Sequence, residues 1–353
     1  MADFSSIRTL LKEKKLDAML FSSSSHLLYL TSYAGFSATE RDAFLLVTNN
    51  KGHLFTHSLL ALELKEKFKQ LTVIEHKRDH PFAKNLAEVV SKNKLKKIGF
   101  ESNNVTVTEY LTITENVPSR LVAVDLRHLR IKKSAEEVTN IRKACQIAQK
   151  ALKQTAKKLE PDVTEMQIAV LFEANVKALG AGLSFPTIVA FGKNSAVPHH
   201  LSDETKLKVN DVALIDCGVR FNNYCSDMTR TFFVGTPTKE QQKVYDTVQQ
   251  SQNLAVDFIK RSLENNKPIS GAAVDDEARD FIHKAGYDSI PHSLGHGIGI
   301  EVHEAPALSP TSKETIGDGM AFSLEPGIYL EGKFGVRIED LFAIQDGKLV
   351  KLT

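Results

Sequence analysis

Four short regions in the C-terminal part of the chain each set a carboxylate or an imidazole in an apolar, glycine-flanked context. They are Leu214-Ile-Asp-Cys-Gly218; Cys225-Ser-Asp-Met-Thr-Arg230; Pro291-His-Ser-Leu-Gly-His-Gly-Ile-Gly299; and the pair Ser323-Leu-Glu-Pro-Gly327 with Gly335-Val-Arg-Ile-Glu-Asp340. An unpaired charge in such a setting is costly unless something compensates it. Asp216, Asp227, Glu325 and Glu339 with one histidine therefore call for a cation.

The two aspartates give the sharpest local argument. Val212–Asp216 and Tyr224–Phe233 read as strands, and Asn222-Asn223 between them suits a two-residue turn, where positive φ is tolerated. That pivot sets Asp216 opposite Thr229 and leaves Asp227 on the same face, a diagonal neighbour at roughly 7–8 Å along the backbone. Carboxylates so close repel unless protonated or metallated; two acids on a solvated hairpin face is the alternative. The same alternation turns Cys217 away from Asp216, which argues for a buried, inert thiol rather than a nucleophile. In Val336-Arg-Ile-Glu-Asp-Leu-Phe342, Arg337 and Glu339 share a face while Asp340 points the other way. His292 and His296 are four apart, but Gly295, Gly297 and Gly299 exclude a zinc-protease helix.

Together these motifs resemble the signature of the pita-bread-fold metallopeptidases, the family of methionine aminopeptidase, aminopeptidase P and prolidase. The Xaa-Pro enzymes fit best, because the chain also has a full N-terminal domain, Val302-His-Glu-Ala-Pro306 and Ser195-Ala-Val-Pro-His199. The resemblance runs along nearly the whole sequence and includes Leu16-Asp-Ala18, Tyr29-Leu-Thr31 and Leu129-Arg-Ile-Lys132. It implies an α/β N-terminal domain over residues 1–127 and an α+β pita-bread catalytic domain over 128–353. It also implies metal ligands at Asp216, Asp227, His296, Glu325 and Glu339.

The implied activity is metal-dependent hydrolysis of the bond preceding proline, with a hydroxide shared by two divalent ions as nucleophile. The implied roles are general base for Glu325, proton transfer near the leaving nitrogen for His303, oxyanion stabilisation for His292 and substrate binding for His199. Arg337 orients a ligand carboxylate; His200 is incidental and Glu304 structural. A hard, carboxylate-rich set points to manganese, with cobalt, iron or zinc as alternatives. Many dipeptidases of the family carry an arginine directly after His-Glu-x-Pro, and here that position is Ala307. The expectation is thus an Xaa-Pro aminopeptidase, the alternatives being an Xaa-Pro dipeptidase or a non-catalytic peptide-binding relative. The resemblance further implies a proline-containing peptide as partner and a homodimer.

The elements that must position these residues follow from periodicity and capping. At 353 residues the chain exceeds what one core usually holds. Residues 1 to about 125 alternate strand-like runs (18–21, 43–47, 71–74, 97–100, 121–124) with amphipathic helices, the first at the N-terminus, and Asn49–Gly52 marks a hairpin turn. The serine run 22–25 reads as a loop and His26 as a satisfied or exposed histidine. A charged boundary at 125–133 precedes Ser134–Glu137, a capping box opening a helix whose Val138, Ile141, Cys145, Ala148 and Leu152 recur at helical spacing. Thr164 with Gln167 and Thr238 with Gln241 open two more, Gly271–Ala285 gives a fourth, and strands follow each helix pair, the first near 186–190. This repeated order suits a pseudo-symmetric α+β domain. A net charge of +2 with interspersed signs gives no footprint for nucleic acid or anionic membrane. Three cysteines without metal or redox spacing, and a start lacking a basic-then-apolar leader, suggest free thiols and a cytoplasmic protein.

Overall fold

The computed structural model describes residues 4–288 and 290–353. The chain divides into two compact units, Met1–Leu126 and Arg127–Thr353. The expected N-terminal amphipathic helix is α1, Ser5–Lys14, burying Ile7 and Leu11; its first anticipated residues, 1–3, lie outside the described residues.

In the first unit the apolar runs form one sheet: β1 (Ala18–Phe21), β2 (Ala43–Thr48), β3 (Gly52–Thr56), β4 (Thr72–Glu75), β5 (Lys97–Glu101) and β6 (Arg120–Val124), in the order β4-β3-β2-β1-β5-β6. β2 and β3 make the hairpin whose turn was read at Asn49–Gly52. Helices α2 (Ser24–Thr31), α3 (Ser58–Lys67), α4 (Phe82–Lys92) and α5 (Val107–Asn116) connect the strands. One expectation is overturned here. The serine run is no loop: Ser23 accepts the His26 amide as N-cap and α2 begins at Ser24, because a hydroxyl can meet the orphan amides that open a helix.

In the second unit the three capping boxes all form, opening α6 (Ala135–Ala156), α7 (Glu165–Ala178) and α8 (Lys239–Glu264), and α9 spans Gly271–Lys284. Each helix pair packs on its own strands. The buried faces of α6 and α7, among them Ala148, Leu152 and Phe172, meet Val189, Ala213, Ile215 and Met228. These come from β8 (Ile188–Phe191), β9 (Val212–Cys217) and β12 (Met228–Phe233), a sheet in the order β12-β9-β8. A companion sheet, β11-β10-β7, joins β7 (Gly182–Leu183), β10 (Val219–Phe221) and β11 (Tyr224–Cys225).

Val244, Val248, Ile259, Val274 and Ile282 of α8 and α9 pack on Leu294, Phe322, Leu324 and Phe342. There the strands are β13 (Ile269–Ser270), β14 (Gly295–Gly297), β15 (Glu304–Leu308), β16 (Thr315–Ile316), β17 (Ala321–Leu324), β18 (Gly327–Leu330), β19 (Phe334–Arg337), β20 (Asp340–Gln345) and β21 (Lys348–Lys351). Among the described residues they form β13-β16, β15-β14-β17-β20-β21 and β18-β19. The helix-helix-strands order thus occurs twice, and the acidic motifs lie on strands of both halves.

Candidate metal centre

The hairpin has the register read from the sequence: Asp216 pairs with Thr229, Cys217 with Met228 and Arg220 with Cys225. Asn222 and Asn223 both take positive φ, 45° and 70°, as a two-residue hairpin turn of this type requires. Asp216 and Asp227 consequently face one cleft, while Cys217 turns into the apolar core. All three cysteines are buried and free, and burial raises their thiol pKa values, Cys225 to about 11.

His296 enters from the other half on β14. Its flanking glycines are needed because a Cβ on Gly295 would stand 2.0 Å from the Ser323 carbonyl oxygen and one on Gly297 2.1 Å from that of Ala305. Only glycine lets β14 nest between β15 and β17, and the Ser323 hydroxyl accepts the His296 amide at 3.0 Å. Glu325 follows β17 directly, its amide donating to the Leu294 carbonyl at 2.8 Å. Glu339 lies between β19 and β20, where its amide donates to the Thr229 carbonyl and its Oε2 accepts the Thr229 hydroxyl at 2.8 Å. Arg337 and Glu339 reach the same cleft, whereas Asp340 points away to Arg230 at 2.6 Å and Lys351 at 2.8 Å.

All five residues expected as ligands converge. The Nδ1 of His296 donates to the Gly297 carbonyl at 3.0 Å, which leaves the lone pair of Nε2 turned to acceptors. Those acceptors are Glu325 Oε1 at 3.4 Å, Asp227 Oδ2 at 3.7 Å and Glu339 Oε1 at 4.0 Å. Asp216 Oδ1, Asp227 Oδ1 and Glu339 Oε1 are buried with no hydrogen-bond partner. Asp216, Asp227 and Glu339 offer oxygens within 4.8 Å of one another, and a ring nitrogen of His296 with oxygens of Glu325 and Glu339 forms a second group as close.

Electrostatics follows from this crowding. Burial first, then the charges of Glu339, Asp216 and Glu325, pushes the Asp227 carboxyl well above the usual carboxylate range. Glu325 is raised likewise, by burial and then by Glu339. Burial and the Asp216 charge push Glu339 up to about 8. Burial, and next His303, lowers His296 to about 4, so its ring is neutral. Orphaned carboxyl oxygens clustered with a neutral imidazole lone pair make a donor set that divalent cations fit, carboxylate oxygens with one nitrogen once a cation displaces the protons.

Around this cluster lies a cavity of about 620 Å³. Its wall includes Phe185, Pro186, Ile188 and Leu201 together with His199, His200, His292 and His303. The His303 ring stands edge-on to His296 with centroids 4.2 Å apart. The Nδ1 of His292 donates to the Ser293 carbonyl at 2.8 Å, and its Nε2 accepts the Tyr329 hydroxyl at 2.9 Å. Tyr329 in turn accepts from Arg337 Nη1 at 2.8 Å, and Arg337 Nη2 donates to Asp216 Oδ2 at 2.6 Å. A continuous polar chain thus links Asp216 to His292, and in this geometry both nitrogens of His292 are engaged. Glu304 is tied to Lys133 at 2.7 Å and to Arg130, outside the cleft lining.

Three contributors carry no assignment from sequence: Thr229, Tyr329 and the apolar lip. Thr229 was legible as the partner of Asp216, and Tyr329 by alternation along β18 from Glu325 and Gly327. Of the apolar wall residues, Phe185 and Leu201 carry no sequence signal, since single apolar side chains in a loop look alike. A further acidic group, Glu165 with His200 and Asp203, has ligand atoms equally close. Its Glu165 oxygens already accept four N–H donors, so it has no vacancy for a cation.

Known proteins agree with this geometry. Residues 139–346 match the model of metallopeptidase family M24, and residues 4–132 that of the creatinase/prolidase N-terminal domain. The uncharacterized peptidase YqhT of Bacillus subtilis is 32% identical over 348 residues, covering 96% of this chain and 94% of that one. The Xaa-Pro dipeptidase from Bacillus anthracis superposes with a TM-score of 0.91 at 28% identity, covering 99% and 96% of the two chains. The X-Pro aminopeptidase from Thermotoga maritima gives 0.84 at 32% identity, with 96% of each chain covered. The prolidase from Pyrococcus furiosus gives 0.85 at 29%, covering 98% of each. Among the described residues no helix is long and apolar enough to cross a membrane. With the five-residue acid–imidazole cluster in place and both models matched in order, the chain belongs to metallopeptidase family M24, in its pita-bread form with a creatinase/prolidase N-terminal domain.

Proposed function

We propose that this protein is an Xaa-Pro aminopeptidase, which hydrolyses the peptide bond before a proline near the N-terminus of a peptide. Two divalent ions, manganese by preference, are held by Asp216, Asp227, His296, Glu325 and Glu339. The observation that carries the metal reading is the set of buried, unpartnered oxygens of Asp216, Asp227 and Glu339 in one cluster with His296, whose Nε2 stands 3.4 to 4.0 Å from Glu325, Asp227 and Glu339. Bound there, divalent ions supply Lewis-acid polarisation of the scissile carbonyl and a water acidic enough to attack at neutral pH.

The protein's own groups do the rest. Oε1 of Glu325 faces His296, and its Oε2, turned toward His292 at 4.0 Å, accepts the proton of the attacking water. Collapse of the tetrahedral intermediate breaks the carbonyl carbon–nitrogen bond, and the proton passes to the proline nitrogen, which has no hydrogen of its own. His303, on the cavity wall beside His296, serves that transfer. Arg337, only 3% exposed, fixes Asp216 and, through Tyr329, His292. His199 contributes to the substrate wall.

The choice of aminopeptidase over dipeptidase rests on the cavity. Among the described residues lining it, Arg337 is the one lysine or arginine, and its guanidinium is already committed to Asp216, Tyr329 and Thr229. A dipeptide's terminal carboxylate sits within a residue of the scissile bond and favours a bidentate arginine partner, and Ala307 stands opposite His296 at the position where many dipeptidases of this family carry one. The test is to strip the protein with chelator, restore Mn²⁺, Co²⁺ or Zn²⁺ separately, and assay an Xaa-Pro dipeptide beside an Xaa-Pro tripeptide. Metal-restored cleavage favouring the tripeptide is expected. Cleavage of the dipeptide alone overturns the aminopeptidase choice, and equal cleavage of peptides lacking proline overturns the specificity.

A further inference from the structure

The segment that bears His199 runs from Phe191 to Thr205 with little regular structure beyond a short 3-10 turn at Gly192–Ala196, yet it is tied at both ends to one side chain. Glu165, the first residue of α7, is fully buried. Its Oε1 accepts the amide of Phe191 at 2.7 Å and Nδ2 of Asn194 at 3.0 Å. Its Oε2 accepts Nε2 of His200 at 2.7 Å and the amide of Asp203 at 3.0 Å. The same helix turn holds the segment a second time, since the amides of Glu165 and Met166 donate to the carbonyls of Thr205 and Asp203.

On its other side the segment touches the metal centre's supports. The Gly335 amide donates to the Ser195 hydroxyl at 2.8 Å, and Arg337 reaches the Pro198 carbonyl at 3.4 Å. His199 is exposed and lines the cavity between these two sets of anchors. Its backbone position is therefore fixed by its neighbours. A loop normally sits at the mobile end of a fold; a buried carboxyl with four donors converts this one into a rigid wall.

We propose that Glu165 is a positioning residue: with His200 it latches the 191–205 segment so that His199 stands at the substrate wall. The assignment of His199 to substrate rests on the Xaa-Pro peptidase reading; the latch does not. Glu165→Gln keeps the size but turns an NH₂ donor onto groups that are themselves donors, which leaves buried N–H groups unmet. His200→Ala removes one donor, and His200→Gln restores an N–H at nearly the same place.

The latch is read without catalysis by hydrogen exchange on the metal-free protein. Glu165→Gln speeds exchange of the 191–205 amides roughly tenfold or more while the β9 and β17 amides stay protected, and His200→Ala does so less. Ring resonances of His199, identified by their loss in His199→Gln, shift or broaden in Glu165→Gln and in His200→Ala, and lie at their native positions in His200→Gln. Unchanged exchange and unchanged His199 resonances in Glu165→Gln overturn the latch.

The metal-loaded protein supplies the second arm. Glu165→Gln raises KM for an Xaa-Pro tripeptide about tenfold with kcat altered far less, and adds little on top of His199→Gln. Full additivity of the two losses overturns action through His199 and leaves a structural role. A wild-type protein inactive on every Xaa-Pro peptide sinks the functional reading, and the exchange arm still decides the latch.

Discussion

Glu101 in the first unit and Glu339 in the second are equally hidden carboxyls, exposed by 0% and 1%, yet their surroundings are opposite. Glu101 accepts from the amides of Ser22 and Ser23, from both their hydroxyls and from His26 Nδ1. Burial alone would raise its pKa, but the bond and charge from His26 and the two serine amides outweigh it and bring it down to about 2. Glu339 has one hydroxyl on one oxygen, nothing on the other and four acids for neighbours, Asp216, Asp227, Glu325 and Asp340, and stands at about 8. The difference separates a carboxyl that holds a fold together from one that is incomplete without a ligand. Burial does not distinguish them; satisfied lone pairs do.

The largest way to break this comparison is to remove ligands. Asp227→Asn or His296→Ala in the metal-loaded protein lowers kcat/KM on the order of a thousandfold, since several kcal/mol of charge stabilisation is lost. Metal content measured on the same samples falls with it. Glu101→Gln leaves metal content and the activity per folded molecule near wild type. A fully active, metal-free Asp227→Asn protein removes the centre described here.

Next in size is a reversal of sign in stability. With metal chelated, Glu339→Gln deletes a crowded buried acid and raises the melting temperature of the second unit, by about 2–4 °C for each kcal/mol relieved. Glu101→Gln deletes acceptors from five donors and destabilises, on the order of 3 kcal/mol near neutral pH. The pH dependence gives the sign for Glu101. Its folded pKa lies below the ordinary 4.5, so its contribution is present above about 4.5 and is lost as pH falls toward about 2. Thermal melts of the wild type between pH 5 and 2 show that decline, and Glu101→Gln flattens it. Equal destabilisation by both substitutions would erase the distinction between the two carboxyls.

Smaller effects test the support of the centre. Arg337→Lys cannot reach Asp216, Tyr329 and Thr229 at once, because an ammonium lacks the planar fork. It lowers kcat/KM about 10- to 100-fold with the measured metal content unchanged. Tyr329→Phe, which cuts the link to His292 and one of the bonds of Arg337 but leaves Arg337 on Asp216 and Thr229, costs less than Arg337→Lys in the same assay.

How much of this was legible in the sequence depends on the range of the forces involved. Helix starts were readable because a capping box closes within four residues, and all three that were marked form. The hairpin register was readable because two asparagines and strict alternation fix it locally, so the facing of Asp216, Asp227 and Cys217 followed. Convergence of the two halves on one centre came from a family resemblance, since no local rule brings His296 to Asp227 across 69 positions. The Glu165 latch and the Ser22–Ser23 cap on Glu101 were illegible for the same reason. Each joins a helix or strand end to donors 26 to 79 residues away, and nothing in the local pattern names the partner.

The mildest substitution lies beside the cavity, on the strand that pairs with His296. Ala307 pairs with His296 across β14 and β15 and is exposed, so a long side chain there has room to extend. Ala307→Arg adds a guanidinium at the strand position opposite His296, beside a cavity whose existing arginine is fully engaged, and a side chain extended into that cavity gives a dipeptide's terminal carboxylate a charge-assisted partner. A hydrogen bond to a charged group contributes about 1.5–3 kcal/mol, so kcat/KM for an Xaa-Pro dipeptide rises roughly tenfold relative to a tripeptide. The change falls in KM, because the carboxylate is bound equally well before and during reaction. An amidated dipeptide, which has no carboxylate to bind, shows no such gain. Should the amide gain as much as the acid, the arginine is acting on the fold of β15 and the argument from the missing cation fails.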